Sequence, residues 1–124
     1  MARVLVVEDD ANQRKLYEME LRRDGYEVDT AKNGREAIEK VKAGGYDVVV
    51  MDLKMPEMTG LDAITEIASI DKDLPIIINT AYGGWQDDFK SWAACAYVLK
   101  SSDLTELRRR IREAVTSRSE GSEG

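Results

Sequence analysis

The stretch that decides the fold is Val48-Val49-Val50-Met51-Asp52, followed by the loop residues Leu53-Lys54-Met55-Pro56-Glu57-Met58-Thr59-Gly60. Four consecutive apolar residues, three of them β-branched, predict a strand buried on both faces, as in the middle of a parallel sheet. Lys54, Pro56 and Gly60 mark the next segment as a loop. Asp52 is therefore expected at the carboxyl end of a central strand, where open α/β sheets place their ligand sites.

Apolar runs and helical patterns alternate along the rest of the chain. The predicted strands cover residues 4–7, 26–30, 48–51, 76–79 and 96–99. The predicted helices cover about residues 11–24, 33–44, 61–69, 85–92 and 103–115. In the fourth helix, the aromatic stripe of Trp85, Phe89 and Trp92 fits a core face better than a partner site. Five β-α pairs predict a single-domain α/β fold, a (βα)5 doubly wound parallel sheet.

Composition excludes several classes of function. The net charge of −6 argues against a nucleic-acid groove in this domain and against an anionic membrane surface as partner. The sequence has no histidine, which excludes His-ligated zinc and Ser-His-Asp catalysis. Cys95 is the single cysteine, expected to be a buried core thiol rather than a reactive one, and it fits a reducing compartment. No apolar run approaches the roughly 20 residues of a membrane span, so we expect a cytoplasmic protein.

The chain divides near residue 115. Residues 1–115 carry the predicted elements and form one domain, whereas residues 116–124 are polar and predict a flexible tail, either the start of a linker or a cloning remnant. Met1 is expected to be the natural start. Whether the domain is free-standing or the N-terminal part of a longer protein stays open.

Polar side chains follow four of the five predicted strands. Glu8-Asp9-Asp10, Asp52, Thr80 and Lys100 come directly after or at the ends of these strands. The carboxyl ends of parallel strands share one edge, so these residues should converge. Clustered carboxylates repel one another unless they hold a cation, and a small set of oxygen ligands suits Mg²⁺ with retained waters.

Such a cluster fits phosphoryl transfer. Lys100 supplies a point charge for a phosphoryl oxygen, Thr80 supplies a hydroxyl, and Asp52 is a carboxylate nucleophile whose product would be an aspartyl phosphate. Taken singly, each residue is more often a helix cap or turn former than a site. The joint pattern favours the site.

Two motifs resemble those of response-regulator receiver domains, the CheY-like family of two-component signalling. They are the stretch from Asp52 to Leu61 and the acidic opening Val6-Val7-Glu8-Asp9-Asp10 with Arg14, and the resemblance covers residues 3 to about 115. It implies a flavodoxin-like fold with Asp52 as the phosphoacceptor. It also implies a Mg²⁺ site made by Asp9 directly, Glu8 through water, Asp52 and the backbone carbonyl of Lys54. Asp10 would be a near neighbour that caps the first helix.

The resemblance further implies a switch rather than an enzyme. A histidine kinase or histidine phosphotransfer protein would donate the phosphoryl group to Asp52, with Lys100 pairing with the phosphate. Thr80 would move toward the phosphoryl group, and Tyr97 would turn inward. This change would remodel the surface of the fourth helix, the fifth strand and the last helix. Without the resemblance, Tyr97 is interpreted as a half-buried strand aromatic.

The chain departs from the family pattern in two places. Lys100 precedes Ser101, where the family usually has proline after a cis bond, so a cis bond would be held by the site or the loop would run trans. Lys100 follows Thr80 by only 20 positions, which predicts a short or mobile fourth helix around Gly83-Gly84. In addition, Lys54 and Tyr82 are placed to shield the acyl phosphate from water, which predicts slow autodephosphorylation.

Alternatives fit the sequence less well. Phosphatases of the haloacid-dehalogenase type carry their nucleophile on the first strand within Asp-x-Asp, and Asp52-Leu53-Lys54 lacks the second aspartate. A non-phosphorylated binding module of the same fold would lack the acidic pair or Asp52. The basic run from Arg108 to Arg112 fits a solvated helix face, and with Asp87 and Asp88 it also suggests a phosphorylation-dependent homodimer.

Overall fold

The computed structural model of the chain describes residues 2–52, 60–81, 95–101 and 103–123. Its strands are β1 (Arg3–Val7), β2 (Glu27–Ala31), β3 (Val48–Met51), β4 (Ile76–Thr80) and β5 (Cys95–Leu99). The helices within the described residues are α1 (Ala11–Arg23), α2 (Gly34–Ala43), α3 (Gly60–Ile70) and α4 (Thr105–Glu123).

The strands form one five-stranded sheet in the order β2-β1-β3-β4-β5, and every pair is parallel. The strand that ends before Asp52 lies at the centre, as its four buried residues predicted. Val7 pairs in register with Met51, and Thr80 pairs with Leu99. The first residues after these strands therefore lie at one edge of the sheet. The predicted doubly wound α/β fold is confirmed.

Side chains alternate between two hydrophobic cores, one on each face of the sheet. On β1, Leu5 and Val7 belong to the core beneath α2 and α3, which we call the α2–α3 face. Val4 and Val6 belong to the core beneath α1 and α4, which we call the α1–α4 face. This period of two follows from strand geometry. It decides which helices each site residue faces.

Side-chain caps start three of the helices. Asp10 accepts a hydrogen bond from the Gln13 amide at 3.0 Å and caps α1, and Asn33 accepts one from the Glu36 amide at 2.8 Å and caps α2. Asp103 accepts from the Thr105 amide at 2.9 Å at the start of α4. These bonds satisfy amides that have no partner within the helix. The predicted capping role of Asp10 is confirmed.

Two differences from the predicted elements have a clear physical reason, and the other described boundaries agree with the prediction within two residues. β2 begins at Glu27 rather than at residue 26, because the Tyr26 amide donates to Leu21 O at 3.2 Å and so closes the C-terminal turn of α1. The last helix continues to Glu123, past the predicted start of a polar tail at residue 116. Helix propagation adds one backbone hydrogen bond per residue and needs no apolar side chain to extend the last turns. The domain boundary itself stays a prediction.

Several predictions concern residues outside the described ones. They are the fourth helix with Trp85, Phe89 and Trp92, the Gly83-Gly84 segment, Asp87 and Asp88, the shielding residues Lys54 and Tyr82, and the side chain of Cys95. Within the described part of the chain, no helix combines the length and the apolar character that crossing a membrane requires.

Candidate functional site

The carboxyl ends of three strands bring Glu8, Asp52 and Lys100 together. The Lys100 ammonium donates to Glu8 Oε1 at 2.5 Å and to Asp52 Oδ2 at 3.0 Å, although these carboxylates are 92 and 48 residues away in the sequence. Each residue lies two positions beyond a member of the core on the α1–α4 face, namely Val6, Val50 and Val98. Strand alternation therefore directs all three side chains to the same face.

Three carboxylates gather at this edge. Oxygens of Glu8, Asp9 and Asp52 all lie within 4.8 Å of one another. Glu8 and Asp52 are buried, with 1% and 8% of their surface exposed, whereas Asp9 is exposed to solvent. The cluster therefore has a buried side, held by β1 and β3, and a side open to water.

The charges of the site are strongly coupled. Burial raises the pKa of the Glu8 carboxyl to about 7, and the negative charge of Asp52 adds to this, while the hydrogen bond from Lys100 opposes it. For Lys100, burial acts to lower the pKa, but the hydrogen bonds to Glu8 and Asp52 outweigh it and raise the pKa above its ordinary value. The ammonium is the group that makes two buried carboxylates tolerable here.

The donor set fits a magnesium ion. The three residues offer only carboxylate oxygens, which are the ligands a hard divalent cation prefers. Glu8 Oε2 is buried and, among the described residues, has no hydrogen-bond partner. A buried carboxylate oxygen without a partner destabilises the folded state unless a cation or an ordered water binds to it. The fourth predicted ligand, the carbonyl of Lys54, lies outside the described residues.

Thr80 and Tyr97 lie on the other face of the sheet. Thr80 is fully buried at the end of β4, and its carbonyl accepts a hydrogen bond from the Lys100 amide at 2.7 Å. Tyr97 is half-buried and packs against the core on the α2–α3 face. It pairs in register with Ile78, two residues before Thr80. The two residues are thus diagonal neighbours on adjacent parallel strands and lie on one face of the sheet.

Sequence comparison identifies the protein family to which the chain belongs. The family model described as the response regulator receiver domain matches residues 4–112. The chain belongs to this receiver-domain family. It is 40% identical over 121 residues to the two-component response regulator PhoP of Pseudomonas aeruginosa, and 34% identical over 114 residues to the response regulator ArlR of Staphylococcus saprophyticus. The receiver spans about half the length of these curated relatives, 53% and 51% respectively.

Solved structures agree with this assignment. The response regulator protein TrrA from Thermotoga maritima, in complex with Mg(2+)-BeF, is 45% identical with a TM-score of 0.86, and the match covers 92% of this receiver and 99% of that chain. A second structure holds TrrA in complex with the histidine kinase ThkA, at 44% identity and a TM-score of 0.85, covering 93% of this receiver and 99% of that chain. A CheY-like receiver from Methanospirillum hungatei, 24% identical with a TM-score of 0.90 and covering 98% of each chain, supports the fold alone.

The loop after β5 runs without the cis bond that the family pattern suggested. No cis peptide bond occurs among the described residues, which include Lys100 and Ser101. The Lys100 ammonium nevertheless contacts both Glu8 and Asp52. Of the two alternatives left open by the sequence, this receiver therefore has the trans loop.

The receiver has two buried polar residues beside the site that sequence analysis did not single out. Asn79 interrupts the apolar run of β4 just before Thr80, and it is 4% exposed. Tyr17 is 5% exposed and belongs to the core on the α1–α4 face. The available signal was the amide itself, because a buried strand residue with four hydrogen-bonding positions needs a polar partner. Arg14, by contrast, belongs to the predicted motif, and its guanidinium donates to Glu8 O at 2.9 Å.

Proposed function

We propose that this receiver accepts a phosphoryl group on Asp52 from a phosphohistidine of a histidine kinase or histidine phosphotransfer protein. A carboxylate oxygen of Asp52 attacks phosphorus, a P–O bond forms, and the P–N bond breaks with its electron pair retained by the imidazole. The observation that carries this proposal is the contact of Lys100 with both Asp52 and Glu8 at the sheet edge. A nucleophilic carboxylate, an ammonium and further carboxylates are the groups that phosphoryl transfer requires.

Lys100 has two roles in this proposal. Before transfer, its ammonium neutralises Glu8 and Asp52 and keeps the nucleophile oriented. After transfer, the same ammonium is close enough to turn to a phosphoryl oxygen on Asp52, because it starts 3.0 Å from the acceptor carboxylate. A flexible side chain with a compact charge suits this change of partner.

Asp9, Glu8 and Asp52, together with the backbone carbonyl of Lys54, would hold Mg²⁺. We propose that exposed Asp9 ligates directly and that buried Glu8 acts through a water, with Asp52 as the third carboxylate. The ion would supply neutralisation of the charge on the transferring phosphoryl group. The unpartnered Glu8 Oε2 supports this assignment, and so does the solved complex of the related TrrA with Mg(2+)-BeF.

Thr80 and Tyr97 are proposed to transmit phosphorylation to the surface. The Thr80 hydroxyl would move to the phosphoryl group, and Tyr97, its diagonal neighbour across β4 and β5, would turn into the vacated space. The receiver acts in this account as a switch, whose only chemistry is its own phosphorylation and slow dephosphorylation. Phosphate then shifts the equilibrium between two arrangements by contacting one of them better.

The dimer suggested by the basic run of the last helix stays a proposal. Within the described residues, Arg108 and Arg109 of this run have partners in the same chain. Arg108 pairs with Glu20 and Asp24 of α1, and Arg109 pairs with Glu106 and Glu113 of its own helix. A dimer that uses these arginines would have to exchange such contacts for contacts between subunits.

Transfer from a phosphohistidine tests the proposed function. A histidine kinase labelled with radioactive phosphate is mixed with the receiver in MgCl2, and the label on each protein is followed with time. We expect label to leave the kinase and appear on wild type but not on Asp52→Asn. Labelling of Asp52→Asn at the wild-type rate would show that another residue is the acceptor.

A further inference from the structure

Arg14, in the first turn of α1, contacts the backbone that carries the acidic residues, and the transfer described above gives it no role. Its Nη1 donates to Glu8 O at 2.9 Å and to Asp9 O at 3.4 Å. Its amide donates to Asp10 O at 2.9 Å. A single arginine therefore serves the carbonyls of the first three residues after β1.

These contacts fix the backbone at Asp9. The carbonyls of Glu8 and Asp9 belong to the two peptide planes that flank the Asp9 Cα, and the orientations of these planes about the Cα are the φ and ψ of that residue. The Glu8 amide also donates to Ala31 O at 3.0 Å, which ties the start of the turn to β2. The turn is thus held by the sheet on one side and by Arg14 on the other.

Asp9 depends on this backbone more than the other two carboxylates of the cluster do. Glu8 and Asp52 are buried, and both contact the Lys100 ammonium. Asp9 is exposed, and among the described residues its carboxylate has no hydrogen bond or ion pair. Because an aspartate side chain has only two torsions, the backbone largely decides where its carboxylate lies.

The charge of Arg14 acts against cation binding. A guanidinium next to the backbone of Glu8 and Asp9 repels a cation held by their carboxylates, because like charges at short range raise the energy of the bound state. If charge alone mattered, an uncharged residue in place of Arg14 would tighten Mg²⁺ binding. A role in positioning Asp9 predicts the opposite sign, so one measurement separates the two explanations.

We propose that Arg14 is a positioning residue that holds the peptide planes on both sides of Asp9 and so directs the Asp9 carboxylate to Mg²⁺. The inference rests on the proposed magnesium site. A guanidinium suits this task because Nη1 carries two N–H groups in a fixed plane, one for each carbonyl. Residues behind the metal ligands that orient them typically contribute about 10–100-fold to metal affinity.

Magnesium affinity measures this role without any phosphoryl transfer. Amide NMR shifts of the receiver are titrated with MgCl2 for wild type, Arg14→Met, Arg14→Lys and Arg22→Met. Arg22 is the matched control, because its guanidinium also donates to a backbone carbonyl, Val28 O at 3.2 Å, but it lies about 12 Å further along α1. We expect Arg14→Met to bind Mg²⁺ roughly tenfold more weakly than wild type. Arg14→Lys should lie between the two, since an ammonium lacks the planar fork that serves both carbonyls. Arg22→Met should bind as wild type does.

The outcomes separate this inference from the proposed function. Wild-type or tighter binding of Mg²⁺ by Arg14→Met would overturn the role of Arg14 and leave the magnesium site intact, even if the variant is less stable. Equal weakening in Arg22→Met would also overturn it, because the effect would then belong to any arginine of α1. Absence of Mg²⁺ binding by wild type would overturn both the site and the inference. If Arg14→Met folds poorly, Arg14→Lys keeps the charge and decides the question, since weaker binding than wild type supports positioning and equal binding contradicts it.

Discussion

At the scale of single residues, Lys100 joins the two buried carboxylates of the site. Its ammonium lies between Glu8 and Asp52, and the side chains of all three are at most 15% exposed. Buried carboxylates in one site are tolerated only when an opposite charge is close. Removal of the ammonium would leave two acidic groups facing each other with little water.

Lys100→Met should therefore destabilise the metal-free protein. Breaking a buried ion pair by removing one partner costs about 3–5 kcal/mol, and we expect a loss near the lower limit because protonation of Glu8 relieves part of it. MgCl2 should restore part of the loss, since a ligand bound only by the folded state stabilises it. Urea unfolding with EDTA and with MgCl2 measures both effects. The control is Lys72→Met at an exposed position, and equal stability of the two variants in EDTA would contradict this account.

Tyr46 and Asp29 form a second interaction between single residues, and the pKa shifts of both predict how pH changes its contribution to the stability of the fold. The hydrogen bond from Tyr46 lowers the pKa of Asp29 below its ordinary value of 3.8. The ionised Asp29 therefore stabilises the folded state above pH 3.8, and this contribution is lost as the pH falls through the folded-state pKa. Burial and the hydrogen bond to Asp29 raise the pKa of Tyr46 from 10.0 to about 12. The protonated phenol therefore stabilises the folded state below pH 10.0, and this contribution is lost as the pH rises through about 12.

We therefore expect Tyr46→Phe to lose about 1–2 kcal/mol of unfolding free energy near neutral pH. The difference from wild type should shrink once the pH falls below 3.8 and once it rises above 10.0. Urea unfolding across this range measures it. A difference that stays constant from acid to alkaline pH would show that packing of the ring, rather than the hydrogen bond, is the cause.

Some residues of the site were predictable from the sequence and others were not. Glu8, Asp52 and Lys100 were predictable because each follows an apolar strand, and parallel strands end at one edge. Asn79 and Tyr17 were not, because their burial beside the site depends on how α1 packs across the sheet, which no local pattern states. The pairing of Lys100 with Glu8 in addition to Asp52 likewise appears only in three dimensions.

At the scale of elements, α4 is attached to α1 by charge as well as by the core. Leu107 and Ile111 are buried in the core on the α1–α4 face. Beside them, the Arg108 guanidinium lies 2.5 Å from Glu20 Oε2 and 2.9 Å from Asp24 Oδ2, both from α1. A planar guanidinium that binds two carboxylates at once is better preorganised than a single surface pair.

Arg108→Ala should cost about 1–2 kcal/mol of unfolding free energy, mainly through loss of this network of partly buried charges. Arg109→Ala is the matched control, because among the described residues Arg109 pairs only with Glu106 and Glu113 of the same helix, and such solvent-exposed pairs contribute little to stability. Thermal unfolding at low and high NaCl compares them. Equal losses for both variants would show that Arg108 does not join α4 to α1.

At the scale of the whole molecule, the fold followed from the order of its elements. Alternating apolar strands and amphipathic helices leave few arrangements other than a parallel sheet covered on both faces, and the sheet order places β3 at the centre. The length of the last helix could not be predicted, because residues 116–123 lack the apolar spacing from which helices are recognised. The receiver spans about half the length of its curated relatives.

The central claim is that this chain itself carries the chemistry for phosphorylation of Asp52. Incubation with phosphoramidate, a small P–N donor, followed by intact-mass spectrometry, tests it without any kinase. Wild type in MgCl2 should gain the mass of one phosphoryl group, as should Asp47→Asn, an aspartate before β3 at the opposite end of the sheet that accepts from the Arg3 amide at 2.8 Å. Asp52→Asn in MgCl2, and wild type in EDTA, should gain none. A phosphoryl group on Asp52→Asn at the wild-type level, or an unlabelled wild type in MgCl2, would contradict the account.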